Sequence, residues 1–418
     1  MNAFSVLFLL MMLITVALLV WLAGRQRAGA LGQRRAVPEA FRDRIALTDH
    51  QKSADYTAAR MGLEQVDTVA GAALTLIWTL GGGLNLLAGW WAASGWGPVT
   101  AGTGLIVSVL LITALLEMPL DVYRTFVIEA RFGFNRTTPA LYVADTLKHG
   151  LVFLVLGTPL IALLLWLVMH AGAAWWLYGW LAWMVFSIAI LWLYPIWIAP
   201  LFNRFSPLED EALRERILRL LARCGFTSGG IFVMDGSKRS GHGNAYFTGF
   251  GANKRIVFFD TLLKSLDPDE VEAVLAHELG HFKHGHVRQR LMVMAVLSLA
   301  GFALLGYLLR ADWFYHGLGV QEPSYAAAFV LFMMALPYLT TALRPLSSYW
   351  MRRHEFEADD FAAGQTDARH LIHALVKLYE ENASILTPDR LYSAYHDSHP
   401  PAPVRIAHLQ ERVATAAP

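Results

Sequence analysis

The chain is short of cysteine and short of charge. Cys224 stands alone, which excludes an intramolecular disulfide and a thiolate metal cluster; a single thiol of this kind most often serves as a small buried hydrophobe. Only 16% of residues are charged, against roughly 25% in soluble proteins. Hydrophobic residues make up 56% of the chain and the mean hydropathy is +0.41. Disorder, collagen and coiled coil are thereby excluded, and an ordinary soluble enzyme does not fit. Lys+Arg and Asp+Glu nearly cancel at 34 and 33, so no basic field exists to gather nucleic acid, and none is expected as a partner. The partner this composition demands is a lipid bilayer.

What the chain has in abundance is long apolar runs. Residues 3–24 contain only two polar members, Ser5 and Thr15, and a helix of that length, at about 1.5 Å per residue, crosses a hydrocarbon core of about 30 Å. Arg25, Arg27, Arg34 and Arg35 follow the run, whereas a cleaved signal carries its positive charge in front. The segment is expected to stay as an anchor. Six more runs pass the same test, at 69–93, 99–116, 151–171, 173–198, 291–309 and 325–343. Seven spans are expected. The second contains Gly81, Gly82 and Gly83, and Pro159, Pro195 and Pro337 interrupt others; kinked, cavity-lining helices and ordinary close packing both accommodate such residues. Segments 25–68, 117–150, 199–290 and 344–418 hold 33 of the 34 Lys+Arg, leaving only Arg310 across the membrane. Positive charge marks the cytoplasmic side, so the N-terminus is expected outside, and the C-terminus and both long polar segments inside.

Those polar segments, 203–290 and 344–418, are long enough to fold and read as halves of one domain. Residues 213–224 have helical periodicity, while 230–234 and 255–259 read as short strands, the latter after a glycine-rich turn at Gly249 and Gly251. Asp267, Pro268 and Glu270 specify a helix start with an N-cap acceptor, a proline at the first helical position and a reciprocal glutamate. That helix carries His277-Glu278-Leu279-Gly280-His281, an H-E-x-x-H pattern. Four residues at 3.6 per turn put both imidazoles on one face, shared with apolar Val274, as half of a zinc site. Glu278 lies about 100° further round, where a carboxylate can take a proton from a metal-activated water.

A third ligand should lie downstream, and Glu355-Phe356-Glu357-Ala358-Asp359 supplies candidates. Glu355 and Asp359 are an i, i+4 pair, so one can bind the metal while the other orients a ligand histidine. Glu357 and Asp360 suit exposed helix charges, and His284 and His286 read as surface residues. Ser237 and Ser240 have a histidine nearby, His242, but no acid completes a serine triad. A transporter is disfavoured because ionisable residues cluster outside the spans. A catalytically dead chaperone would leave Glu278 without a use.

Taken together, His277-Glu278-x-x-His281, Arg352-Arg353-x-Glu355-Phe356-x-Ala358-Asp359, Ser237-Lys238-Arg239-Ser240 with Asn244-Ala245-Tyr246-Phe247, Arg255-Ile256-Val257-x-Phe259-Asp260, Phe132-Gly133-Phe134-Asn135 and His399-Pro400-Pro401 with Arg405 resemble the CAAX prenyl endopeptidase family. These are integral-membrane zinc proteases. The resemblance spans nearly the whole chain. It implies a predominantly α membrane protein, with seven transmembrane helices enclosing a chamber and a cytoplasmic zincin-like α+β metalloprotease domain. The division expected is 1–198 with five spans, 199–290 as the first part of the protease domain, 291–343 with two spans, and 344–418 as its second part. Carried over by position, His277, His281 and Glu355 would hold one Zn²⁺, Glu278 would be the general base and Asp359 the acid behind a ligand histidine. Asn244 would bind the substrate backbone, and strand 255–259 would lend its edge to an extended peptide. His399 and Arg405 would face the scissile carbonyl; structural roles for them, Arg405 pairing with an acid and His399 capping a helix, stand as the alternative. The activity implied is zinc-dependent hydrolysis of a peptide bond at the cytoplasmic membrane face, with a peptide or protein substrate, prenylated or membrane-bound. A quality-control protease of membrane proteins without prenyl specificity is the competing reading.

Overall fold

The computed structural model describes residues 1–248 and 255–416; the expected turn at Gly249 and Gly251 falls outside them. Six helices among the described residues are long and apolar enough to cross a membrane, and a bent pair makes a seventh. The helices outlast their apolar runs because local signals, not hydropathy, set their ends. The first begins at Ala3 under a capping box formed by Asn2 and Ser5. The run 99–116 sits inside Pro98–Tyr123, with proline at the first turn.

The second run is where expectation and structure part. Instead of one helix it forms Leu47–Trp78 and Gly83–Ala93, bent by 47°. Gly82 adopts φ 81°, a left-handed conformation that costs glycine little and other residues more. A Cβ at Gly81 would lie 2.9 Å from the Ile77 backbone. The glycines therefore break the span. Pro159 and Pro337, by contrast, remain inside unbroken helices, and Pro195 falls in a π-helical turn, Tyr194–Ile198.

A second hydrophobic core lies outside the bundle. It joins Ile217, Leu220, Phe258 and Leu275 to Leu371, Ile406 and Leu409, so residues from both polar segments pack as one body. Val37, Phe41 and Ile45, from the link between the first two membrane helices, also enter it. Its sheet has the order β1-β2-β4-β3, where β1 is Phe205–Pro207, β2 Ile231–Met234, β3 Ala245–Thr248 and β4 Arg255–Phe259. β4 pairs parallel with β2 on one side and antiparallel with β3 on the other. Strand 255–259 thus has both ladders filled and offers no edge to a peptide. The free edge nearest the H-E-x-x-H helix belongs to β3.

The Phe132-Gly133-Phe134-Asn135 turn clamps the loop that leads into β3. Gly241 N–H donates to the Phe134 carbonyl at 3.0 Å, and Asn135 forms an isolated bridge with Ser240. Arg239 reaches back to Asp145 with two hydrogen bonds of 2.8 and 3.0 Å. The membrane bundle so fixes the position of β3.

Candidate metal centre and active site

The H-E-x-x-H helix, Pro268–Lys283, starts as its sequence specifies: Asp267 and Glu270 cap each other's backbone N–H groups. It packs along the helix Arg344–Gln365, and the contact depends on Gly280. A Cβ there would sit 2.9 Å from Ala358 Cα and 3.1 Å from Ala358 O. With no room for a methyl group, Gly280→Ala should cost about 1–3 kcal/mol by overpacking, read as a lowered thermal midpoint in detergent; an unchanged midpoint would show that the helices part freely.

This close approach brings Glu355 to the histidines. One ligand atom each from His277, His281 and Glu355 lies within 4.8 Å of the others. His277 Nε2 is 3.4 Å from Glu355 Oε2, and His281 Nε2 is 3.3 Å from Oε1. Glu355 is 2% exposed, yet its buried Oε2 has no hydrogen bond. Leaving a buried carboxylate oxygen unsatisfied is costly, and a cation held between it and two imidazole nitrogens removes the cost. The donor set, two nitrogens and one carboxylate with an open side, suits catalytic zinc.

Hydrogen bonds behind the histidines set their tautomers. His277 Nδ1 is 2.9 Å from Asp359 Oδ1; an ionised carboxylate only accepts, so Nδ1 carries the hydrogen and Nε2 presents its lone pair. On the other side, His281 Nδ1 is 2.9 Å from His286 Nδ1, and His286 Nε2 is 2.9 Å from Glu357 Oε2. The carboxylate again orders the chain: His286 donates to Glu357, accepts from His281, and leaves His281 Nε2 free. His286 is fully buried and stacked on His354 at 3.9 Å, which corrects its reading as a surface residue. Glu357 likewise has a partner in place of a purely solvated face. His284 is exposed as expected. Gly285, at φ 70°, turns the chain between the H-E-x-x-H helix and the helix that His286 opens, and nothing in the local sequence marks that imidazole as buried.

Arg405 is 7% exposed and grips Asp359 through both Nε, at 2.8 Å, and Nη2, with Nη1 3.7 Å from Glu355 Oε2. That is the pairing with an acid foreseen as its structural alternative. His399 caps no helix among the described residues; its exposed imidazole directs Nε2 to within 3.4 Å of Glu355 Oε1. Glu278 makes no side-chain hydrogen bond among the described residues, and burial raises its carboxyl above the ordinary range while the flanking imidazoles pull it down. Asn244 is exposed at the head of β3, with Oδ1 accepting from Ala245 N–H at 2.8 Å. Ser237 bonds Asp260 and His242 faces Asn382, so no serine triad forms among them.

A membrane helical bundle joined to an α+β unit with two histidines and a glutamate on facing helices defines an integral-membrane metalloendopeptidase. Residues 27–204 match the family model of the CAAX prenyl protease N-terminal region with five membrane helices, and 207–413 match peptidase family M48. The chain is 37% identical to a CAAX prenyl protease 1 homolog of Arabidopsis thaliana, covering 72% of this chain and 71% of that one. It is 32% identical to the homolog of Dictyostelium discoideum, covering 90% of each. The crystal structure of S. mikatae Ste24p superposes with a TM-score of 0.91 at 29% identity, over 98% and 99% of the two chains. The chain belongs to the CAAX prenyl protease 1 family of M48 metallopeptidases, a zinc-dependent group, and the quality-control alternative is not favoured.

Proposed function

We propose that this metalloendopeptidase cuts peptides ending in a prenylated C-a-a-X sequence, at the cytoplasmic membrane face. The observation that carries the reading is the His277, His281 and Glu355 group on a chain built into the membrane; the relatives' names supply the substrate class. These three residues would hold one zinc ion through His277 Nε2, His281 Nε2 and the Glu355 carboxylate. When bound, zinc polarises a carbonyl and lowers the pKa of water towards about 7. Glu278 takes the proton of the attacking water and delivers it to the amine nitrogen as the C–N bond breaks. His399 Nε2 donates towards the oxygen on which charge develops.

Asp359 and Arg405 act as positioning residues: the guanidinium holds the carboxylate, and the carboxylate holds His277. His286 and Glu357 do the same for His281. The edge of β3 takes the extended peptide in place of β4, and the Asn244 amide nitrogen, left over by its bond to Ala245, is available to the substrate backbone. Residues 199–290 and 344–418 make up the protease domain, and 1–198 and 291–343 the membrane region.

Mass spectrometry of products from purified enzyme tests the substrate. A farnesylated C-a-a-X peptide should be cut beside its cysteine, releasing a-a-X; cleavage of an unprenylated membrane protein alone would overturn the reading. Sidedness is tested by single cysteines at Glu322 and Ser206, both exposed, in a Cys224→Ala background. A membrane-impermeant thiol reagent applied outside should label the first and not the second, as the distribution of basic residues requires; the reverse pattern would overturn the topology.

A further inference from the structure

A cavity of about 370 Å³ lies against the metal centre, with His399 as their common wall. The volume is at the low end for ligand sites, which run from about 300 to 1,000 Å³. Arg60, from the Leu47–Trp78 helix, lines it together with Asn382, Tyr392, His396 and Ser398.

Arg60 is the only lysine or arginine in this lining, and it is exposed. Among the described residues no carboxylate lies within ion-pair distance of it. Its guanidinium rests over the Tyr56 ring at 5.5 Å. The acids near it hold hydrogen bonds of their own: Glu129 accepts from the Tyr56 hydroxyl at 2.6 Å, and Glu64 from the Tyr392 hydroxyl at 3.0 Å. Asp397 is the one carboxyl in the lining, and burial holds its pKa above the ordinary carboxylate value. His396 adds a buried Nε2 with no partner. The cavity therefore offers a guanidinium that rests on the Tyr56 ring and that no carboxylate among the described residues holds in an ion pair.

We infer that this cavity holds the C-terminal carboxylate of the substrate, with Arg60 as its anchor. The inference rests on the proposed C-a-a-X substrate, which necessarily ends in a free carboxylate close to the bond that is cut. A guanidinium presents paired N–H donors that match a carboxylate, whereas an uncharged amide end cannot make the charged pair. Holding the chain end beside the metal fixes the distance from the terminus at which cleavage falls.

The test uses full-length enzyme and two farnesylated C-a-a-X peptides that differ only in ending as carboxylate or carboxamide. The wild type should prefer the acid by about 10- to 100-fold in kcat/KM. Arg60→Gln should bring the two within about twofold, and Arg60→Lys should restore part of the preference. Equal cleavage of acid and amide by the wild type, or an undiminished preference in Arg60→Gln, overturns the anchor. If neither farnesylated peptide is cut, the prenyl substrate fails separately, and the anchor is judged by inhibition: an a-a-X tripeptide acid should inhibit hydrolysis of an unprenylated fluorogenic peptide more strongly than its amide, and equal inhibition overturns it.

Discussion

Glu278→Ala is expected to keep its metal and lose hydrolysis, with kcat falling on the order of 10²–10⁴-fold. The side chain follows His277 on the same helix but contributes no atom to the His277, His281 and Glu355 group, so its removal leaves all three ligands in place. It also lacks any side-chain hydrogen bond among the described residues, so the fold loses no contact that could explain a drop in rate. What disappears is the one carboxylate beside the ligands that is free to accept a proton. Metal analysis alongside a peptide assay separates the outcomes: near wild-type turnover at full metal occupancy would remove Glu278 from the mechanism. Glu278→Gln should behave the same way, since the amide keeps the shape but cannot take the proton.

The parts of this site that were legible in the sequence are those set by local geometry. The capping box at Asp267, the i, i+4 histidines and the i, i+4 acids on the later helix depend on spacing alone, and the structure reproduces each. Strand Arg255–Phe259 was also legible as a strand, but its neighbours were not. Pairing with β2 and β3 on both sides is a long-range fact that periodicity does not carry, so a strand that looks available to a peptide in the sequence has no free edge in the fold. The second span shows the converse limit. Its hydropathy is continuous, yet the left-handed Gly82 breaks the helix for a reason of backbone conformation that hydropathy does not register.

The reading of His286 and Glu357 as exposed failed for a further reason: the acceptor that orders the pair lies on another helix, far away in sequence. The two are 71 residues apart along the chain. The close approach that unites them is made by Gly280 against Ala358, so one small residue inside the H-E-x-x-H pattern governs both the third ligand and the relay behind the second. Arg405 follows the same logic. An arginine 46 residues from Asp359 acquires a role only once the last helix folds over the metal site.

That arrangement ranks the acids of the Glu355–Asp359 segment by their expected effect on metal binding. Glu355→Ala should empty the site, because it removes the only carboxylate of the three residues placed to hold the metal and leaves the two imidazoles facing each other. Asp359→Ala should retain the metal with affinity lowered roughly 10- to 100-fold, since His277 loses the acceptor that fixes its tautomer while Arg405 is left buried without its partner. Glu357→Ala removes the terminal acceptor of the His281–His286 relay; His286 keeps its place by burial and by stacking on His354, so the loss should fall at or below the lower end of that range. Zinc content after dialysis, followed by chelator competition for the variants that retain it, measures the order directly. Equal zinc content in Glu355→Ala and Glu357→Ala would show that the third ligand is not Glu355, and a Glu357→Ala variant weaker than Asp359→Ala would place the dominant support behind His281 instead of His277.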